Sequence, residues 1–188
     1  MRSDPVSGLR APQLLGRAQE LDAHLKTLPA PKLGKLMKLS PELAKKAHAL
    51  IADWSASGKQ TAAIDSFIGD IYSGLQAPSL SAADRKYADK GLRILSGLYG
   101  VLRPLDGISP YRLEMGYKLP DFGTPSLYKF WGNTIAETLP KSGPIVNLAA
   151  VEYSDTVTPY LDAARIVTPK FMTMSPKTGK PAFVTVHA

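Results

Sequence analysis

The side chains best suited to chemistry gather around one stretch, residues 95–119, which reads LSGLYGVLRPLDGISPYRLEMGYKL. Arg103 and Asp106 stand three apart in a loop that also holds Pro104 and Gly107, and Arg112, Glu114 and Lys118 follow on alternate positions. With Asp70 upstream and Glu152 downstream, these carboxylate, guanidinium and ammonium groups are a set that does acid–base work or grips phosphate when a cleft collects it. Asp70, Arg103, Asp106 and Arg112 are the candidate catalytic residues of that reading. The competing reading is a salt-bridge network tying loops to a sheet, and Glu114 fits it better. A second chemistry sits just ahead of the loop. Gly97 and Gly100 let a backbone turn approach a phosphate closely enough for amide N–H groups to donate to it. Lys86, Lys90 and Arg93 recur at i, i+4 and i+7 before that turn, and Arg103, Arg112 and Lys118 come after it. Together they supply charge for contacts that ignore base sequence. Tyr99 and Tyr117 are the candidate stacking surfaces, whereas Trp54, Phe130 and Trp131 fall at core spacing. The plainer alternative is that Gly97 and Gly100 only end a helix.

Those groups need elements to hold them. Leu14, Leu15, Ala18, Leu21, Leu25 and Leu28 recur at helical spacing and predict an amphipathic helix over 11–28, stopped by Pro29 and Pro31. A short turn follows, with Lys32, Lys35 and Lys38 on one side. Ser40-Pro41-Glu42 opens a helix that turns Leu43, Ala47, Leu50, Ile51 and Trp54 inward. A third helical pattern covers 61–67. Ser81 and Asp84 make a capping box for a fourth helix, on which Asp89 is placed to pair with Arg85 and Arg93. This basic helix and the glycine turn predict a helix-hairpin-helix element. Residues 111–119 alternate, with Tyr111, Leu113, Met115, Tyr117 and Leu119 on one face, and predict a strand. Thr124-Pro125 opens a fifth helix carrying Leu127, Phe130, Trp131, Ile135 and Leu139. Strands are expected at 145–149, around Arg165 and at 182–186. The fold class read from this order is α+β: a helical N-terminal half packed on a mixed β-sheet, all within one domain over 1–188.

Composition narrows the function classes. The 188 residues are 44% hydrophobic and 21% charged, an ordinary globular balance. Cysteine is absent, which excludes disulfides, thiolate metal sites and a cysteine nucleophile and fits a reducing compartment. His24, His48 and His187 follow no ligand spacing, so no metal is expected, and His24 and His48 read as solvated surface. No serine elbow, Walker or Rossmann glycine pattern points to a nucleophile or a nucleotide cofactor, so no cofactor is expected. No apolar run has membrane-spanning length and no signal-peptide core precedes the first helix, so a membrane partner is not expected and the cytoplasm is the expected location. The formal net charge of +7 favours polyanions.

The ordered blocks Phe67-Ile68-Gly69-Asp70-Ile71-Tyr72, 95–119, Leu127-Tyr128-Lys129-Phe130-Trp131-Gly132, and Val146-Asn147-Leu148-Ala149 with Glu152-Tyr153 resemble the signature of the YaaA family of bacterial peroxide stress proteins. Ile68 departs from it, standing where that family commonly has a polar or basic residue. The resemblance implies a DNA-binding protein of the peroxide response that carries a helix-hairpin-helix motif. Its expected partner is DNA, duplex or distorted, gripped through phosphates and shape rather than base identity. Lys86, Lys90, Arg93, Gly97, Tyr99, Gly100, Arg103, Arg112 and Lys118 are the candidate contacts, on a chain expected to be monomeric. Compared with that family, the chain is expected to lack a strand before Met1 and a basic segment after Ala188. The alternative is an enzyme acting on a small or nucleotide-like anion in a cleft lined by Asp70, Arg103, Asp106 and Arg112.

Overall fold

A computed structural model describes residues 8–174 and 178–183, apart from the side chains of Asp70, Ala182 and Phe183. The N-terminal half is helical. Helix α1 is Leu15–Lys26, α2 is Ala30–Met37 and α3 is Pro41–Asp53. Pro29 and Pro31 do more than stop α1. Pro29 is the cap of α2 and Pro31 lies in its first turn, where a missing N–H costs nothing, so the expected short turn is a helix. The Ser40 hydroxyl accepts from the Leu43 N–H and starts α3 as anticipated. Ala44, Ala47 and Ile51 are the buried residues of α3, and Trp54 follows them inward; Leu43 and Leu50 stay exposed, against expectation.

The chain then shortens its elements. Strand β1 (Thr61–Ala62) runs into α4 (Ala63–Ser66), and α5 is Asp70–Ser73. Helix α6 (Ala82–Gly91) carries the predicted capping box between Ser81 and Asp84. Strand β2 (Ile94–Ser96) and β3 (Gly100–Leu102) form an antiparallel hairpin in which Ser96 faces Gly100, and β4 (Gly107–Ile108) pairs with β1. A break at Gly132, with φ at 48°, divides the expected fifth helix into α7 (Leu127–Trp131) and α8 (Thr134–Glu137). Strand β5 (Ile145–Val146) runs parallel to β6 (Ile166–Val167), with α9 (Val151–Ser154) between them, and β7 (Met172–Met174) pairs antiparallel with β8 (Pro181–Phe183). Residues 184–186 of the last expected strand, and His187, lie outside the described residues.

The fold is α+β, but the single mixed sheet is replaced, among the described residues, by four two-stranded ladders. Residues 111–119 are the instructive difference. Leu113, Met115 and Leu119 are buried and Arg112 and Lys118 exposed, as the period of two demands. Yet the segment joins no ladder; its Lys118 makes an isolated bridge to Ser126. It lies across the core as an irregular rope with a turn at Met115–Gly116, its Leu113 carbonyl packed against Gly97 of the β2–β3 turn. One buried cluster draws Leu21 and Leu25 from α1, Leu33 and Met37 from α2, Ile51 from α3, Tyr99 and Leu102 from the hairpin, and Phe130 and Trp131 from α7.

Candidate functional site

The glycine turn is not the tip of a helix-hairpin-helix. It closes the β2–β3 hairpin, and Gly97, Leu98, Tyr99 and Gly100 are all buried. The Trp131 indole N–H donates to the Gly97 carbonyl at 3.1 Å, and a Cβ at Gly97 would collide with the Leu113 carbonyl oxygen. Gly100 holds φ at 70°, and a Cβ there would lie 2.8 Å from the Trp131 ring. The glycines therefore allow close packing of chain on chain rather than of chain on phosphate. Tyr99 is likewise core. Its oxygen accepts from the Trp54 indole N–H at 2.9 Å and from the Ser109 N–H at 3.0 Å, and burial pushes its pKa up to about 12.

The basic candidates divide into two groups. Lys86 and Lys90 are exposed on α6, none of whose residues is buried, and Lys118 and Arg112 are exposed on the 111–119 rope. Among the described residues these four enter no ion pair. Arg93 is committed elsewhere. Its guanidinium turns back to the Asp89 and Leu92 carbonyls, where a cation satisfies orphan acceptors at the end of α6. Arg103 is committed as well, to Asp106.

Asp106 is fully buried and makes the loop a knot. Its carboxylate accepts from the Arg103 N–H at 2.8 Å and from Arg103 Nε at 2.9 Å, with the Arg10 guanidinium 3.6 Å away. Burial raises its pKa, against the Arg103 hydrogen bonds and the charges of Arg103 and Arg10. Arg10 also donates to Asp89 at 2.6 Å, and Asp89 accepts from the Leu105 N–H. Asp89 thus pairs with Arg10 in place of the expected Arg85 and Arg93, while Arg85 forms a bidentate pair with Asp65. The knot sews the chain near Arg10 to the 103–107 loop, where Arg10 and Asp106 also share a backbone bridge. Its carboxylate is fully buried and taken up by Arg103, so Asp106 does not line an open cleft as the reading with Asp70, Arg103, Asp106 and Arg112 expects. Among the described residues the knot makes no hydrogen bond or ion pair with Arg112, and the side chain of Asp70 is not among the described atoms.

A different constellation is assembled, and it draws on all four ordered blocks. Phe67 stacks on Tyr72 with ring centroids 5.3 Å apart and meets Tyr111 edge-on at 6.4 Å. The Tyr111 hydroxyl and the Ser96 hydroxyl share a hydrogen bond of 2.6 Å. Tyr153 donates to the Glu114 carboxylate at 2.7 Å, and the Gly116 N–H donates to Glu152 Oε1 at 2.6 Å. Tyr128 donates to the Glu152 carbonyl. Burial raises the Tyr153 phenol first, and its bond to Glu114 and that carboxylate's charge raise it further, so Tyr153 stays a proton donor. Tyr117 sits among Glu114, Glu152 and Arg112; burial and Glu114 raise its pKa while Arg112 opposes them. The arrangement is a half-buried pair of carboxylates held by phenols and a backbone N–H, with Arg112 at its exposed edge, hydrogen-bonded to Tyr117 and, among the described residues, in no ion pair. Such a node holds or moves protons beside an anion. Sequence reasoning named Glu114 and Glu152 but missed the tyrosines Tyr111, Tyr128 and Tyr153. Their membership of the same ordered blocks was the available signal.

His24 is not solvated surface. Its ring packs on Phe122, with centroids 4.5 Å apart, and its Nε2 is buried without a partner. Among the described residues, no three His, Cys, Asp or Glu side chains gather as a metal site would require. No helix of the described residues is long and apolar enough to cross a membrane.

Comparison with known proteins places these blocks in context. The family described as peroxide stress protein YaaA matches residues 2–188. A UPF0246 protein of Salinispora tropica is 56% identical over 191 residues, an alignment covering all of this chain and 73% of the relative. A UPF0246 protein of Burkholderia multivorans is 40% identical over 97% of the chain and 74% of its own length. One from Idiomarina loihiensis is 43% identical over 89% of the chain and 68% of its own length.

Proposed function

Because the chain belongs to the peroxide stress protein YaaA family, and so carries that family's association with peroxide stress, we propose that it serves the response by binding DNA through phosphate contacts. The observation that carries this reading is the set of exposed cations without carboxylate partners, Lys86, Lys90, Arg112 and Lys118, on a chain of net charge +7. Paired cations are already neutralised and offer a phosphate little, whereas unpaired exposed ones release counterions from the duplex when they bind. The buried glycine turn takes no part in this grip, and the contacts come from side chains alone. Such contacts carry no base identity, so DNA shape selects the target. The test is a titration of the chain against duplex DNA at several salt concentrations, with a Lys86→Glu/Lys90→Glu variant. Losing two phosphate contacts lowers the slope of log K against log salt by about 2. A flat salt profile in the unaltered chain, or a variant that binds as well as the parent, overturns the reading.

A second reading rests on the hydrogen bond from Tyr153 to Glu114 near the exposed Arg112, which enters no ion pair among the described residues. In it, the protein is an enzyme whose Arg112 binds an anionic substrate while the Glu114–Tyr153 pair handles the proton. Arg103 and Asp106 keep a structural role there. Glu114→Gln and Tyr153→Phe distinguish the two readings. They leave phosphate-driven DNA binding in place but abolish turnover of any substrate that the chain is found to convert.

A further inference from the structure

The chain has no cysteine, so its sulfur chemistry belongs to five methionines. The described ones split sharply. Met37 and Met115 are sealed in the core at 3% and 0% exposure, whereas Met172 and Met174 are 49% and 60% exposed on β7. Spaced two apart on one strand, these two point to the same face of the β7–β8 ladder. A thioether is oxidised where a peroxide can reach its sulfur, and the product is polar and chiral. In a core that change wrecks packing. On an exposed strand face it opens no cavity and buries no new dipole. The ladder itself runs through backbone groups, with Met172 facing Phe183 and Met174 facing Pro181, so side-chain oxidation leaves its hydrogen bonds alone.

From this we propose that Met172 and Met174 form a peroxide-oxidisable modification site, a two-thioether sink that hydrogen peroxide oxidises without unfolding the protein. The step balances. A lone pair of the sulfur attacks one peroxide oxygen and the O–O bond breaks. The sulfur, two electrons poorer, keeps that oxygen as a sulfoxide, and the departing hydroxide takes up the remaining proton and leaves as water. One peroxide is consumed per methionine, and methionine sulfoxide reductases, one for each epimer, return the thioether. The proposal is independent of DNA binding and of the Glu114–Tyr153 node.

The experiment treats the chain with graded hydrogen peroxide, follows the fold by circular dichroism, and maps oxygen addition by mass spectrometry of peptides. Met172 and Met174 are expected to gain one oxygen each while the spectrum stays native. Met37 and Met115 should react about tenfold more slowly or less, because peroxide reaches them only through local opening. Paired sulfoxide reductases should then remove the oxygen from β7, and a Met172→Leu/Met174→Leu variant should keep the native spectrum and take up correspondingly less peroxide. The proposal falls if Met37 and Met115 oxidise as fast as the β7 pair in native protein. It falls equally if the pair stays reduced, or if its oxidation unfolds the chain.

Discussion

Replacing Tyr99 by Phe removes one oxygen atom from the core and leaves the ring. Two buried donors end on that oxygen, the Trp54 indole N–H at 2.9 Å and the Ser109 N–H at 3.0 Å. Trp54 is 5% exposed and Ser109 4%, so neither donor can turn to solvent. Each buried donor left unsatisfied costs about 1–3 kcal/mol, so the substitution should cost about 2–6 kcal/mol of stability. That is a large part of the ~5–15 kcal/mol by which a domain is stable. Urea unfolding followed by tryptophan fluorescence measures it as a lower midpoint at unchanged slope. Adding Trp54→Phe supplies the internal check. It removes one of the stranded donors, so the double variant should lose less than the sum of the two single variants. If Tyr99 were instead a stacking platform for bases, Tyr99→Phe would leave both stability and stacking intact. A loss below about 1 kcal/mol, or strict additivity of the pair, refutes the core assignment.

Gly97→Ala should destabilise by about 1–3 kcal/mol or more, because the new methyl meets the Leu113 carbonyl oxygen and forces the 111–119 rope off the hairpin turn; thermal unfolding measures the loss, and a neutral result shows that the rope yields freely. Acid pH tests Asp22, whose carboxyl burial raises above its ordinary range against the pull of Lys26. A carboxyl with a raised folded pKa binds more protons folded than unfolded in the window above about pH 4, so its contribution to stability falls as pH rises through that window. The difference in urea midpoint between the parent and Asp22→Asn should therefore shift in favour of Asn as pH rises, and a difference constant with pH contradicts the burial. Asp106 contributes a slope of the same sign for the same cause.

Much of the local architecture was legible without coordinates. The Ser40 and Ser81 caps depend on side chains within three residues of the backbone they bind, so composition alone locates them. The α+β class and the inward set Leu113, Met115 and Leu119 also follow from periodicity, since burial of one face is a property of the pattern. The pattern does not say what the extended segment pairs with, because a ladder needs a partner strand from elsewhere in the chain. Here the hairpin turn at Gly97 packs against the Leu113 carbonyl, and the alternating rope never becomes a strand. The glycine turn was ambiguous for the same reason: two glycines permit a close approach but do not name the approaching group. The partner of each charge was likewise beyond local reading. Asp89 is one helical turn from Arg85 and Arg93, yet it is claimed by Arg10, 79 residues away. Asp106 became a buried knot because the chain near Arg10 returns beside it. The sequence put Glu114 and Glu152 in one wider set of candidate charges without pairing them. Only the tertiary fold decided that Tyr153 donates to one and Gly116 to the other, because long-range hydrogen bonds are set by where the packed core delivers each segment.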